Sequence, residues 1–190
     1  MPITGLTFDT ARLHVRPLCD TDGELFSRLF CDADIMRFIG PPFTPERAAE
    51  KFRSTVDAAG PSTTLTAIER TTGHAIGICS LHATDQAPHL AETGMMVLPQ
   101  FQKRGYVKEC LTALVTQAFA RLPVDEIRVR IAVAHPVAHR VAASIGFRRR
   151  SDLDAEAGRP DLHVWSISRG SWPTMISERG EADAGTHRLP

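Results

Sequence analysis

An alternating, strand-like segment over 91–98 runs through a short polar loop holding one glycine, Gly105, straight into a long helix pattern. In that helix Val107, Leu111, Leu114, Val115, Ala118, Phe119 and Leu122 recur at helical spacing, a face wide enough to cover a sheet, and Pro123 ends it. The next strand, 126–133, sets Ile127, Val129, Ile131 and Val133 on one face against Arg128 and Arg130 on the other. His135 and Pro136 open a short helix with Val137, Val141 and Ile145 turned inward. Gly146 gives it a left-handed exit into Phe147, and a strand over 162–168 closes the sheet. This β-α-β-α order predicts a mixed α/β domain with helices flanking a central sheet.

The first half has another grammar. Alternation over 6–15 predicts an arm or first strand, and Pro17 with Asp20 sets up a helix over 20–31. Thr44 as cap and Pro45 as first residue start a second helix, in which Ala48, Phe52 and Val56 share a face until Gly60 and Pro61 stop it. Strands over 63–69 and 74–82, joined by Arg70-Thr71-Thr72-Gly73, read as an antiparallel hairpin. Beyond Trp172 the residues become Gly, Glu, Ala, Asp and Ser, so one domain is expected over 1–174 and a disordered tail over 175–190.

With 190 residues, 43% of them hydrophobic, the chain can bury one sizeable core. Its 22 basic residues balance 22 acidic ones, which removes the footprint of a nucleic-acid binder and requires any anionic ligand to be met locally. No apolar run is long enough for a membrane span, and the first residues show no secretory signal. Cys19, Cys31, Cys79 and Cys110 are scattered, as expected of reduced, mostly buried thiols in a cytoplasmic protein.

The loop between the 91–98 strand and its helix carries the functional argument. A helix N-terminus presents unpaired N–H groups and about half a positive charge, which together favour a phosphate. Gly105 lets the backbone approach closely, and Lys103, Arg104 and Lys108 add formal charge, so a diphosphate can be held by a neutral protein. Neither a nucleotide P-loop nor a dinucleotide fingerprint is present, which points to another phosphorylated ligand. An ordinary strand-to-helix turn with a solvated basic rim is the competing reading.

The segments T-A-R-L-H-V-R-P-L, E-T-G-M-M-V-L-P, Q-K-R-G-Y-V, H-P-V-A-H-R-V-A-A-S-I-G-F and V-W-S-I-S-R-G-S-W stand in this order over 6–172. In that order they resemble the GNAT superfamily of acyl-CoA-dependent N-acyltransferases, particularly the group that acetylates ribosomal-protein N-termini. The resemblance implies a mixed sheet whose 91 and 126 strands splay apart to hold acetyl-CoA or another acyl-CoA as co-substrate, with no metal. It implies that backbone from Gln102 through Lys103, Arg104, Gly105, Tyr106 and Val107 to Lys108 binds the diphosphate, while Met96 and Val97 pair with pantetheine. Gln102, Gly105 and Val107 fall on the marked positions of the family's Q/R-x-x-G-x-G/A loop; Val107 departs from Gly or Ala and is expected to crowd the diphosphate. Where the family often has Asn and, three residues on, Ser, this chain has His135 and Ala138. Ala138 cannot steady a departing thiolate, so His135 is a candidate for the pantetheine contact and His139 for reaching the sulfur.

Acyl transfer to an amine needs a neutral amine, a stabilised oxyanion and a thiolate able to leave. Orientation alone can supply roughly seven kcal/mol or more, against about 10² to 10⁴ in rate from one general base. The family geometry implies the Val97 N–H as oxyanion donor and Glu92 as base, with His82 as second candidate and a solvated strand-end carboxylate as the plainer reading of Glu92. His135 and His139 as zinc ligands lack a third ligand nearby, and Ser144 sits at a helix end where a hydrolase elbow needs strand, turn and helix. The run Arg148-Arg149-Arg150 reads as a solvated face, and the phenylalanines of the first two helices as core, with Phe38 or Phe43 available to wall an acceptor pocket.

The expected reaction is direct attack of a primary amine in a ternary complex, no cysteine or serine lying in a nucleophile context. The acceptor is a small-molecule amine or a protein N-terminus, without nucleic-acid or membrane partners, and the resemblance admits a homodimer. Two rivals stay open: an enzyme of this fold taking its acyl group from an acyl carrier protein, and a largely non-catalytic domain binding CoA or phosphopantetheine.

Overall fold

A computed structural model describes residues 5–58, 62–84, 87–157 and 159–172. Its strands are β1 (Phe8–Asp9), β2 (Leu13–Pro17), β3 (Ser62–Glu69), β4 (Ala75–Thr84), β5 (Ala87–Val97), β6 (Glu126–Ala132), β7 (Arg148–Arg149) and β8 (Leu162–Ser168). Its helices are α1 (Gly23–Phe30), α2 (Ala33–Met36), α3 (Pro45–Val56), α4 (Tyr106–Arg121) and α5 (Pro136–Ile145). The strands form one sheet in the order β1-β2-β3-β4-β5-β6-β8-β7, in which, among the described residues, only β5 and β6 pair in parallel. This is the mixed α/β architecture that the hydrophobic pattern predicts.

Each sheet face buries its own helices. Leu13, Leu65, Leu81, Ala91 and Ile127 pack with Leu114, Val115 and Ala118 of α4 and Ile145 of α5, whereas Leu18, Ile78 and Leu98 pack with Leu25, Phe26 and Leu29 of α1. Between Ala67 and Ile68 the β3–β4 register shifts, leaving Ile76 as an extra residue whose side chain turns to the α4 side. The adjoining Gly77 admits β5 closely: a Cβ there would meet the Met96 carbonyl at 2.3 Å. Cys79 and Cys110 touch in the core as thiols at 3.7 Å; their contact and their burial push the Cys79 pKa up. Cys19 and Cys31 are half-buried.

Several expectations change in detail. The 6–15 segment is a tight hairpin, β1 and β2, rather than one strand, and α2 has no counterpart in the periodicity because it is a single turn capped by Asp32. Val133 is exposed because β6 ends at Ala132 and alternation ends with it. Val137 is exposed too: residues eight apart drift by about 80° round an α-helix, and the stripe of α5 that packs inward is Ala138, Val141, Ala142 and Ile145. Arg149 and Arg150 pair with Asp154 and Asp152 instead of facing solvent alone. Gly60, Pro61 and the 175–190 segment lie outside the described residues.

One buried carboxylate fixes where α1 leaves the sheet. Asp22, 4% exposed, accepts two bonds from Arg16 (2.7 and 2.9 Å), one from the Cys19 amide (3.0 Å) and one from the Thr66 hydroxyl (2.8 Å). Burial alone would raise its pKa, but these donors outweigh it and hold the carboxyl below its ordinary value. A depressed pKa contributes stability that is complete above the unfolded-state value of about 3.9 and is lost as pH falls through the lower folded-state value. Asp22→Asn is expected to cost about 1–3 kcal/mol at neutral pH and to flatten the acid limb of the stability curve, as read by urea unfolding at several pH values.

Candidate active site

After Val97 the chain makes one 3-10 turn, Pro99–Phe101, closed by Phe101 N–H to the Leu98 carbonyl at 2.9 Å, and then bends sharply. Two residues take left-handed backbone, Lys103 (φ 60°) and Gly105 (φ 82°), the second as N-cap of α4. The amides of Tyr106, Val107 and Lys108 follow at the positive end of a 16-residue helix. Gly105 serves here through its φ more than through space, since a Cβ would meet only Arg12 Nη2, at 3.4 Å.

The loop is tied down from two sides. Gln102 donates its side-chain amide to the Val97 carbonyl at 3.1 Å and its own N–H to Pro99, so it shapes the bend. Arg12, on the β1–β2 hairpin, donates to the Arg104 carbonyl at 2.9 Å, pairs with Glu109 at 2.6 Å and lies 4.4 Å over the Tyr106 ring. Glu109 also accepts from Thr10 at 2.6 Å; burial pushes its carboxyl up, but the Thr10 and Arg12 bonds prevail and hold it below the usual carboxylate value. Arg12 thereby neutralises the acid that α4 carries beside its N-terminus. Tyr106 is buried with its hydroxyl on Glu69, so only its backbone faces the loop's concave side. Neither Arg12 nor Glu109 carries a local sequence signal, because their contact spans 97 residues.

Beside this loop the sheet opens. β5 and β6 pair from Leu90↔Glu126 to Glu92↔Arg128 and then part, β5 following β4 to Val97 while β6 follows β8. Leu98 N–H bonds to the Ile76 carbonyl at 2.9 Å, and the alternation of an antiparallel ladder then directs the main-chain groups of Thr93, Met95 and Val97 toward the opening. A cavity of about 1260 Å³ fills it, bordered by Met96, Val97, Lys103, Val107, Lys108 and Ala138. This exceeds the roughly 300–1,000 Å³ of a site for one drug-sized ligand.

The titratable candidates divide. Glu92 and His82 are cross-strand neighbours on the α1 side of the sheet; His82 and Arg130 border the cavity, and Arg130 binds the Glu92 carboxylate. Desolvation lowers the His82 pKa, Glu92 opposes this and Lys51 adds to it, so the ring is neutral at neutral pH. His135 caps α5, borders the cavity and stacks on Phe38 at 4.2 Å; burial foremost, with the charge of Arg37 adding to it, lowers its pKa. His139 is turned away. Trp165 Nε1 donates to its Nδ1 at 3.0 Å, and its Nε2 meets the Ala132 carbonyl at 3.1 Å. An indole N–H only donates and a carbonyl only accepts, so the ring is a neutral Nε2–H tautomer with both nitrogens engaged, which corrects the expectation that His139 reaches the sulfur.

Comparison with known proteins gives consistent matches. The sequence model of the acetyltransferase (GNAT) domain matches residues 12–148. The chain is 24% identical over 175 residues to the uncharacterized N-acetyltransferase YoaA of Bacillus subtilis, covering 84% of this chain and 94% of that protein. An acetyltransferase (GNAT family) from Bacillus anthracis superposes with a TM-score of 0.76 at 20% identity, over 87% of this chain and 99% of the other. Spermidine N-acetyltransferase from Vibrio cholerae, solved in complex with CoA and spermine, superposes with a TM-score of 0.73 at 16% identity, over 86% of this chain and 99% of the other. At such identities the structural likenesses establish the fold alone.

Because the constraint at Gly105 is its hand, Gly105→Asn is expected to be nearly neutral for stability while Gly105→Ala costs about 1 kcal/mol, measured by thermal unfolding.

Proposed function

Because this chain belongs to the GNAT family of acyl-CoA-dependent acetyltransferases, we propose that its β5–α4 loop grips the diphosphate of acetyl-CoA while a primary amine attacks the thioester directly in a ternary complex. The observation that carries this reading is the coincidence of two features: the sheet parts after Glu92 at the same mouth where α4 presents its free amides and Lys103 and Lys108. A flexible amide-bearing arm fits there as an additional strand would, its polar groups meeting the main chain of Val97 and of Met95 in place of the expected Met96, whose main-chain groups turn to β4.

Each residue then has a task. Amides from Gly105 to Lys108 hold the diphosphate, with Lys103 and Lys108 supplying charge and Val107 packing partly into the core beside it. The Val97 N–H faces developing charge on the acyl oxygen. Glu92 removes the amine's proton, directly or through water, with His82 beside it; His135, a neutral ring at the α5 cap, hydrogen-bonds the pantetheine arm. The Vibrio cholerae relative was solved with CoA and spermine, and here a protein N-terminus and a small amine both suit the mechanism. A second reading of the base is favoured by the Glu92–Arg130 pair, which occupies that carboxylate and leaves His82 open to the cavity.

Thiol release from acetyl-CoA with a panel of amines tests the reaction, and calorimetry tests the donor site. Gly105→Glu is expected to abolish CoA binding through bulk and charge. Glu92→Gln is expected to bind CoA normally while kcat falls about a hundredfold or more; wild-type turnover in that variant, with loss in His82→Gln, would move the base to His82. Faster transfer from a carrier-bound thioester would identify a carrier protein as donor, and tight CoA binding with no turnover would mark a binding domain.

A further inference from the structure

The half of the cavity away from the α4 loop is walled by the α1–α3 layer, and its chemistry is uneven. Phe30, Ile35 and Phe38 line it as an apolar wall, with Phe30, Ile35 and Met96 packed on one hydrophobic cluster. The wall is rigid: Phe30 stacks on Phe26 at 4.2 Å and on Phe43 at 5.3 Å, Phe38 stacks on His135, and Arg159 donates to the Ile39 carbonyl at 3.3 Å. The segment after α2 is thus fastened across the opening to the β6–α5 side.

Charge in this half is mainly positive. Arg37, Lys51 and Arg130 border it against one acid, Asp34, and the nearby Glu92 is matched by Arg130. Among the described residues Lys51 and Arg37 pair with no carboxylate, and Lys51, on α3, lies close enough to His82 for its charge to act on that ring. Such a pocket repels a polycation and attracts an anion. It also disfavours the ammonium form of a bound amine, which keeps the nucleophile neutral.

The geometry points to an acceptor that is an amino acid with an apolar or aromatic side chain and a free carboxylate: the side chain on the Phe30–Phe38 wall, the carboxylate toward Lys51, the amine toward Glu92 and His82. This rests on the acetyl-transfer reading of the same cavity. In the transfer the amine nitrogen forms the new C–N bond to the acyl carbon and the C–S bond breaks with its electron pair going to sulfur. The proton lost by nitrogen passes to Glu92 or His82 and ends on the thiol. The products are an N-acetyl amino acid and free CoA.

The test compares phenylalanine, leucine and methionine with their carboxamides and with spermidine, by thiol release and by calorimetric binding to the full chain saturated with CoA. The free acids are expected to exceed their amides about tenfold in kcat/KM and in affinity, with spermidine weakest. Lys51→Gln is expected to raise KM for the acids about fivefold with kcat near wild type and little change for the amides, and Lys51→Arg to restore it. Preference for amides or spermidine, or a Lys51→Gln effect equal on acids and amides, would overturn the assignment. If no acceptor turns over, binding decides: equal or absent binding of acid and amide to the CoA complex overturns this inference and leaves the donor site standing. Failure of CoA itself to bind removes both.

Discussion

A strand cannot follow two diverging neighbours, and the structure turns on how β5 resolves that conflict. It stays with β4 over its whole length to Val97, while β6 stays with β8 through seven paired residues, so the parallel contact between them lasts three residues and then opens. Main-chain groups on the inner edge of β5 are thereby left to face a cavity in the middle of the sheet. Backbone polar groups away from bulk water demand partners, and the Val97 carbonyl finds one in the Gln102 side-chain amide. The bulge at Ile76 and the bare Gly77 let β5 lie close to β4 at its far end, where Met96 and Val97 sit.

The loop that follows depends on contacts made far away in the chain. Its left-handed turns at Lys103 and Gly105 set the bend, and Arg12 holds that bend against the body of the protein by reaching the Arg104 carbonyl, the Tyr106 ring and Glu109 together. The N-terminal hairpin therefore helps to shape the β5–α4 loop through residues far from it in sequence. On the other face Asp22 does the comparable service for α1, gathering Arg16, Cys19 and Thr66 so that the phenylalanine wall stands at a fixed height over the sheet. The two halves of the cavity thus have separate anchors, Arg12 at the α4 loop and Asp22 beneath α1.

The periodicity of the sequence was enough for most elements. Thr44 caps α3 through the Arg47 amide, β8 spans the residues its alternation marks, and Gly146 takes the left-handed exit from α5, because each depends on neighbours within one turn. Periodicity misleads past the end of an element, as at Val133, or past one helical stripe, as at Val137, and both side chains are exposed. The His139 expectation failed for another reason: a helix position says which way a side chain points, not which groups wait for it, and the Trp165 indole and Ala132 carbonyl arrive from a distant strand and a preceding one.

What the amino-acid order determined by itself was local and cumulative: a strand, a bend holding one glycine, and a helix whose first amides collect positive potential, inside a mixed α/β pattern. Those properties follow from dihedral sterics and from hydrophobic repeat, which neighbouring residues set among themselves. What only the tertiary structure decided was the parting of β5 from β6, the strap of Arg12, the pairing of Glu92 with Arg130, and the gathering of Lys51 and Arg37 beside an aromatic wall. Each joins residues tens of positions apart, and the attraction between charges or the closure of a sheet depends on distance in space, which the order of residues does not contain.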